Sequence, residues 1–479
     1  MPDFDILFRN ARLIDGSGGP SHHGDLGVTG DRINAIGQLK GQTAEWVIDA
    51  EGLALAPGFI DSHCHDDRAI LEMPFLEPKV SQGVTTVING NCGLSIAPFL
   101  PDRPAPPAPL NLMSTGKTGA FPDFATYFKT LADSPSAVNS ASLCGHSNLR
   151  HAVMDRLDRA ATPAEIAQMC ALLTEALEQG AIGLSTGLYY PPASAAPTEE
   201  VIAISRTLAA HGGLYVTHMR NEEDQVIQSL QESFRIGAEA GVPVIVSHHK
   251  CMSHANHGKS RITLPMFDAV RKQQSVALDA YPYAASSTIL QPERVAKCAR
   301  VMITWSDAMP EASGRDLDDI AREMGCDPQE AARRLVPGGA VYFQMDEDDV
   351  RRILAYPATM IGSDGIVQDR HPHPRAWGTF PRVLGHYARD VGLFSLEKAV
   401  HKMTGLTART FGLKDRGALA PGHFADLVLF DPDRIADMAS FTEPCQPARG
   451  IEMVFANGSC TWIDGGPTGN RPGVPLRRT

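Results

Sequence analysis

The segment PGFIDSHCHDD, residues 57–67, carries His63 and His65 two positions apart. In an extended chain, residues i and i+2 point to the same side, so both imidazoles can reach one metal ion. Such a pair alone is weak evidence, because ordinary loops also carry histidines. Three further groups change its weight. His218 directly follows LYVT, His248 follows PVIVS, and Asp364 follows TMIGS. Each stands at the end of a short apolar stretch of strand character. Cys92 stands in NGNCG, directly behind the β-branched run VTTVI. A single buried histidine or cysteine usually just packs. A set of them arriving at successive strand ends suits a divalent metal such as zinc. Such a metal acidifies water towards neutral pH and supplies a nucleophile for hydrolysis. Asp364 is then the candidate to accept the water's proton and return it to a leaving amine. The metal, together with His65, would stabilise the developing oxyanion.

The elements that must deliver these groups can be read from the same rows. AIGLST (181–186) and VALDA (276–280) add two more strands. Thr162-Pro163-Ala164-Glu165 is a helix start with a capping residue, a proline at the first turn and a glutamate to close the box, and the helix is predicted to run to Gly180. Another helix opens at Thr198-Glu199-Glu200 and ends near His211. Strands separated by helices imply right-handed βαβ units and a parallel sheet. Apolar strands repeated this often predict an α/β fold, a (β/α)8 TIM-type barrel, whose strand ends converge on one mouth. The stretch between VALDA and TMIGS is too long for one helix, which predicts an insertion at about 284–345 over that mouth. Residues 1–56 and 415–479 have a different texture of short strands and turns. They are expected to form one small β-sandwich from both chain ends, with the barrel spanning 57–414. The proline-rich Pro101–Pro109 reads as a loop.

The chain has 479 residues, 43% of them hydrophobic, and a net charge of −12. That composition suits a folded enzyme and argues against nucleic acid as a partner, since nothing would neutralise a row of phosphates. No apolar run is long enough to span a membrane, and the N-terminus reads as a strand, not a signal peptide. Nine scattered cysteines with no C-x-x-C pair suggest reduced thiols and a cytoplasmic location. The oligomeric state is left open.

The motifs together resemble the amidohydrolase superfamily, and within it the N-acyl-D-amino-acid deacylases. The resemblance runs from LIDGSG (13–18) and the 56–67 segment through SQGVTTV (81–87), GNCG (90–93), THMRNE (217–222), SHHK (247–250), DAYPY (279–283), GSDG (362–365) and HPHPRAWGTFPRVLG (371–385) to the ADLVLFD stretch before residue 432. It implies zinc-dependent hydrolysis of a small N-acylated D-amino acid. It implies one tightly held zinc on Cys92, His218 and His248, with a weaker second position on His63, His65 and Asp364. Many relatives bridge two metals with a carboxylated lysine at the end of the fourth strand. Here that strand ends Leu184-Ser185-Thr186-Gly187.

The substrate's carboxylate needs a cationic partner. Lys250, two residues past His248, is the first candidate, with Tyr281, Arg294 and Arg375 near other strand ends. The resemblance places Tyr189, the 294–298 segment, Tyr342 and Met345 around the side-chain pocket. Relatives that prefer apolar side chains have leucine where Ala296 stands and an apolar residue where Lys297 stands. The smaller residue beside a lysine points to N-acyl-D-glutamate. Two alternatives stand beside this reading. A cyclic-amide hydrolase of this type usually needs the bridging lysine, and a deaminase usually lacks a thiolate ligand. A non-catalytic metal-binding barrel is expected to have lost Asp364 or a histidine.

Overall fold

The computed structural model describes residues 2–114 and 120–477. Among the described residues, eight parallel strands close a barrel. They are β1 (Phe59–Asp61), β2 (Val84–Asn89), β3 (Asn139–Ser142, continued by Cys144–Gly145), β4 (Gly183–Gly187), β5 (Leu214–His218), β6 (Val244–Val246), β7 (Val276–Ala280) and β8 (Thr359–Ile361). The ring closes where Ser62 N donates to Ile361 O at 3.2 Å. VTTVIN of β2 is buried at every position, because one face meets the barrel interior and the other meets helices. Ile60, Ile88, Ala141, Ile182, Val216, Ile245 and Met360 fill the interior below the mouth. Helix Pro163–Glu178 on the outside begins with the expected capping box between Thr162 and Glu165. A second outer helix is Thr198–Ala210.

The two chain ends share one nine-stranded sheet. Phe4–Leu13 pairs with His22–Thr29 and Ala44–Asp49, and Ala54–Pro57 pairs antiparallel with Leu427–Phe430 from the far end of the sequence. Phe8, Leu26, Ile33, Leu55, Leu427 and Phe455 build its separate core. The last strand departs from this plan. Pro475–Leu476 leaves the sheet and pairs parallel with Ser140 and Ala141 of β3, tying the end of the described chain to the barrel.

The stretch after β7 forms a small unit of its own. Ala285–Ile289, Arg300–Ser306 and Gly338–Phe343 make an antiparallel sheet, backed by helices Leu317–Met324 and Pro328–Leu335 over a core that includes Ile303, Ile320, Leu335 and Tyr342.

One buried cation fastens the two barrel strands that carry the first and last motifs. Lys79 Nζ lies 2.7 Å from Asp61 Oδ2, 2.8 Å from Ser363 Oγ and 3.3 Å from Asp66 Oδ2. Asp61 Oδ1 accepts from Ser363 N at 2.8 Å and from His63 N at 3.2 Å. All of these side chains are inaccessible to water. Removing the ammonium would leave two buried carboxylates uncompensated, a change that typically costs about 3–5 kcal/mol. Lys79→Met is therefore expected to lower the urea midpoint of unfolding sharply. A midpoint equal to the parent's would show that Lys79 does not fasten the ring.

Candidate active site

The strand ends bring the expected ligands to one point. Ligand atoms of Cys92, His218 and His248 all lie within 4.8 Å of one another, as do those of His63, His65, Cys92 and Asp364. Cys92 belongs to both groups. Its Sγ is 3.3 Å from His63 Nε2 and 3.4 Å from His248 Nε2. Asp364 Oδ1 is 3.3 Å from His65 Nε2 and 3.5 Å from His63 Nε2. Burial alone would raise the Cys92 thiol, but the His63 and His248 imidazoles hold it well below the ordinary thiol range. Burial also opposes ionisation of Asp364, and the Arg375 guanidinium, with His248 next, pulls its carboxyl well below the usual value.

The backbone is bent to make this possible. Cys92, His248 and Asp364 have φ of 56°, 34° and 48°, left-handed values that side-chain-bearing residues seldom adopt. Such residues cost ~1–3 kcal/mol each and collect where a site needs a particular aim. The Cys92 turn is packed tightly against the end of β4. A Cβ on Gly187 would lie 2.1 Å from Cys92 O, and one on Gly93 would lie 2.7 Å from Gly187 N. Ser185 Oγ donates to Gly90 O and accepts from Gly93 N at 3.0 Å.

The donor set fits a zinc-type ion. It offers a thiol held towards its anionic form and several imidazole nitrogens, all enclosed, and Nδ1 of His65 and of His218 are buried without a hydrogen-bond partner. His248 is held from behind. Glu222 Oε1 is 3.1 Å from its Nδ1 and 2.7 Å from Lys250 Nζ, while Glu222 Oε2 is 3.6 Å from His218 Nε2. His248 Nδ1 also lies 2.7 Å from Lys250 Nζ, so Glu222 and Lys250 together fix this edge of the ring and leave Nε2 turned towards Cys92. Asp279 plays a similar part under His63, with Oδ1 at 3.4 Å from Nδ1 and accepting from His248 N at 2.8 Å. Glu222, Asp279 and Lys79 were missed in the sequence reading. Glu222 and Asp279 do lie within the motifs THMRNE and DAYPY, and their position directly behind ligand-bearing strand ends was the available signal.

The candidate substrate residues divide into three groups. Arg375 Nη1 lies 2.8 Å from Asp364 Oδ2, and its guanidinium stacks 4.5 Å over the Tyr281 ring. Lys250 is committed to Glu222. Tyr281 OH reaches Met345 Sδ at 3.7 Å. Arg294 is buried, stacks 4.6 Å over Tyr342 and lies 3.4 Å from Tyr189 OH. Among the described residues, no carboxylate forms an ion pair with it. A narrow cleft joins Tyr189, Lys250 and Arg294 to Asp364. Ala296 and Lys297 do not join them. Both are exposed, and Lys297 Nζ is held 2.6 Å from Glu223. The pair expected to shape the side-chain pocket thus lies outside the cleft, because the 3-10 turn Pro292–Lys297 directs Arg294 inwards and its end outwards.

A family model described as the amidohydrolase family matches residues 46–305 and 277–465. The chain is 54% identical over 476 residues to the D-aminoacylase of Alcaligenes xylosoxydans xylosoxydans, covering 99% of this chain and 98% of that protein. A solved D-aminoacylase structure, concerned with a binuclear metal centre in which one metal activates and the second attenuates, matches with a TM-score of 0.96 at 52% identity over 99% of this chain and 100% of that one. The N-acyl-D-glutamate deacylase of Bordetella bronchiseptica, solved with zinc and a phosphonate mimic of the tetrahedral intermediate, matches with a TM-score of 0.96 at 47% identity over 99% of both chains. This chain belongs to the amidohydrolase family.

Glu222 supplies the test of the site's construction. Loss of a carboxylate that orients a metal-binding histidine typically lowers metal affinity about 10–100-fold. Glu222→Gln is expected to fall in that range when zinc is titrated against a chelating dye. Unchanged affinity would remove Glu222 from this role.

Proposed function

We propose that this protein hydrolyses the amide bond of N-acyl-D-amino acids, releasing a carboxylate and a free D-amino acid, with N-acyl-D-glutamate favoured. The observation that carries this reading is a Cys92-centred ligand set with Asp364 at its edge and, in the adjoining cleft, a buried Arg294 with no ion-pair partner among the described residues. Cys92, His218 and His248 would hold zinc firmly, and His63, His65 and Asp364 would form a weaker second position. Zinc held there supplies a Lewis acid for the acyl carbonyl and acidifies water at cellular pH.

The chain's own groups do the rest. Asp364 takes a proton from the attacking water and delivers it to the leaving nitrogen, alternating base and acid. Arg375 holds Oδ2 of that carboxylate and leaves Oδ1 turned towards His65. His65 stands beside the oxygen that gains charge. Tyr281 faces the α-carboxylate, and Lys250, held in place by Glu222 and His248, lends it positive charge from behind. Arg294, with Tyr189 and Tyr342, faces a carboxylate on the side chain, which replaces the Ala296–Lys297 pair as the support for D-glutamate, while Met345 packs behind Tyr281. In this reading 57–414 is the catalytic barrel, and strands from both chain ends form the flanking β-unit, apart from Pro475–Leu476, which pairs with β3. The substrate is a small molecule and not nucleic acid. Among the described residues, no helix is long and apolar enough to cross a membrane. The nine free cysteines suit the reducing cytoplasm.

The direct experiment compares N-acetyl-D-glutamate, N-acetyl-D-leucine and their L-forms on zinc-replete protein. The D-forms are expected to be cleaved and the L-forms not. Cleavage of the L-forms alone, or of none, would overturn the assignment.

Two variants test the roles. Asp364→Asn is expected to keep one zinc, measured by metal analysis, while kcat falls about 10²–10⁴-fold. A near-normal kcat would refute the proton-carrying role. Arg294→Met is expected to lower kcat/KM for N-acetyl-D-glutamate on the order of 100-fold, the scale of a lost buried charge pair. N-acetyl-D-leucine should lose far less. Equal losses on both substrates would show that Arg294 does not read the side chain.

A further inference from the structure

A second chamber opens on the other side of Asp364. It has a volume of about 340 Å³ and meets the cationic cleft along a border formed by Asp364, Tyr190, Ser287 and Thr288. Its walls differ in kind from those of the cleft. Leu94 and Ile366 follow the ligand-bearing turns at Cys92 and Asp364, Leu112 and Met113 come from helix Asn111–Ser114, and Ile289 and Trp305 come from the insertion. Of the charged groups on its lining besides His65 and Asp364, Arg68 is already paired with Glu72 at 3.1 Å, Arg370 is exposed, and burial pushes the Asp369 carboxyl up to about 7, towards its neutral form.

We propose that this chamber receives the acyl chain of the substrate and that the enzyme prefers apolar acyl chains well beyond acetyl. The inference rests on the amide-hydrolase reading above. An N-acyl amino acid divides at its amide. The α-carboxylate and the side chain branch from one carbon on the nitrogen side, so both are drawn towards Lys250 and Arg294, on the cationic side of the border. The carbonyl side carries only the acyl chain. Asp364 must reach both the water that attacks the carbonyl and the nitrogen that leaves, so the amide lies across it. The acyl chain then points away from the cleft, into the apolar chamber. A volume of this size lies within the range of about 300–1,000 Å³ usual for ligand pockets, and the methyl group of an acetyl would leave it largely unfilled.

The test uses zinc-loaded protein and the D-amino acid best cleaved as its acetyl derivative, acylated in turn with acetyl, butanoyl, hexanoyl and glutaryl groups. Each methylene moved from water into an apolar wall is worth about fourfold in kcat/KM, the equivalent of ~0.8 kcal/mol. Hexanoyl is therefore expected to exceed acetyl by at least about tenfold, and glutaryl to fall below hexanoyl. Ile289→Trp and, from a separate element, Met113→Trp are expected to lower the hexanoyl-to-acetyl ratio at least about tenfold. The ratio between acetylated D-leucine and D-alanine should move by less than about twofold.

Hexanoyl no better than acetyl in the parent protein would overturn the proposal, whatever the variants do. So would glutaryl above hexanoyl, or tryptophan variants that change the side-chain ratio in place of the acyl ratio. Failure to cleave any of the acylated D-amino acids would instead bring down the hydrolase reading, and this inference with it.

Discussion

The sulfur of Cys92 lies within 3.4 Å of both His63 Nε2 and His248 Nε2, and the rest of the site is arranged around that one buried atom. A thiol in an apolar enclosure resists ionisation; a thiol between two imidazoles favours it. For the sulfur to reach both rings, the chain after β2 must turn through a left-handed residue and press against β4. Glycine is required at position 187 because any side chain there would collide with Cys92 O.

Placing so many ionisable groups in a water-poor mouth creates a charge problem, and the solution runs behind the ligands. Glu222 offsets Lys250 and orients His248, Asp279 stands under His63, and Arg375 offsets Asp364. Deeper in the barrel, Lys79 offsets Asp61 and Asp66. Buried ion pairs of this kind add little net stability compared with apolar packing. Their contribution here is positional, because each one fixes the angle of a ring or carboxylate that the backbone alone would leave free to rotate.

The parts visible in the sequence and the parts that were not differ for a physical reason. A strand of buried apolar residues that ends abruptly in histidine or aspartate is a local pattern, so His63, His65, Cys92, His218, His248 and Asp364 could be picked out as one set. The barrel followed from strands alternating with helices, the insertion from a stretch too long for one helix, and a β-unit from both chain ends, expected as a sandwich and found as one nine-stranded sheet, from their shared texture of short strands and turns. Lys79, Glu222 and Asp279 were not visible as a group. A charged residue is ordinarily solvated, and nothing local says that these three are enclosed; their partners come from other strands. The 3-10 turn at Pro292–Lys297 failed differently. Its residues were named, but which of them points inwards depends on how the insertion packs, so Arg294 is buried while Ala296 and Lys297 face solvent. Pro475–Leu476 joined the barrel because β3 offered a free edge there, which no feature of a two-residue strand announces.

The insertion also settles how labour is divided. The ligands come from the ends of the barrel strands, where position is set by the closed ring and by the ion pairs beneath it. The groups that border both chambers, Ser287 and Thr288, and the walls beyond them, Arg294 on one side with Ile289 and Trp305 on the other, come from the insertion. That unit has its own hydrophobic core and its own antiparallel sheet. A change of side chain on its inner face can therefore reshape what enters either chamber while the Cys92 turn, the imidazoles and Asp364 stay where the barrel holds them. The metal-ligand candidates and much of the wall around them are carried by separately packed parts of the chain, joined along Asp364, Ser287 and Thr288.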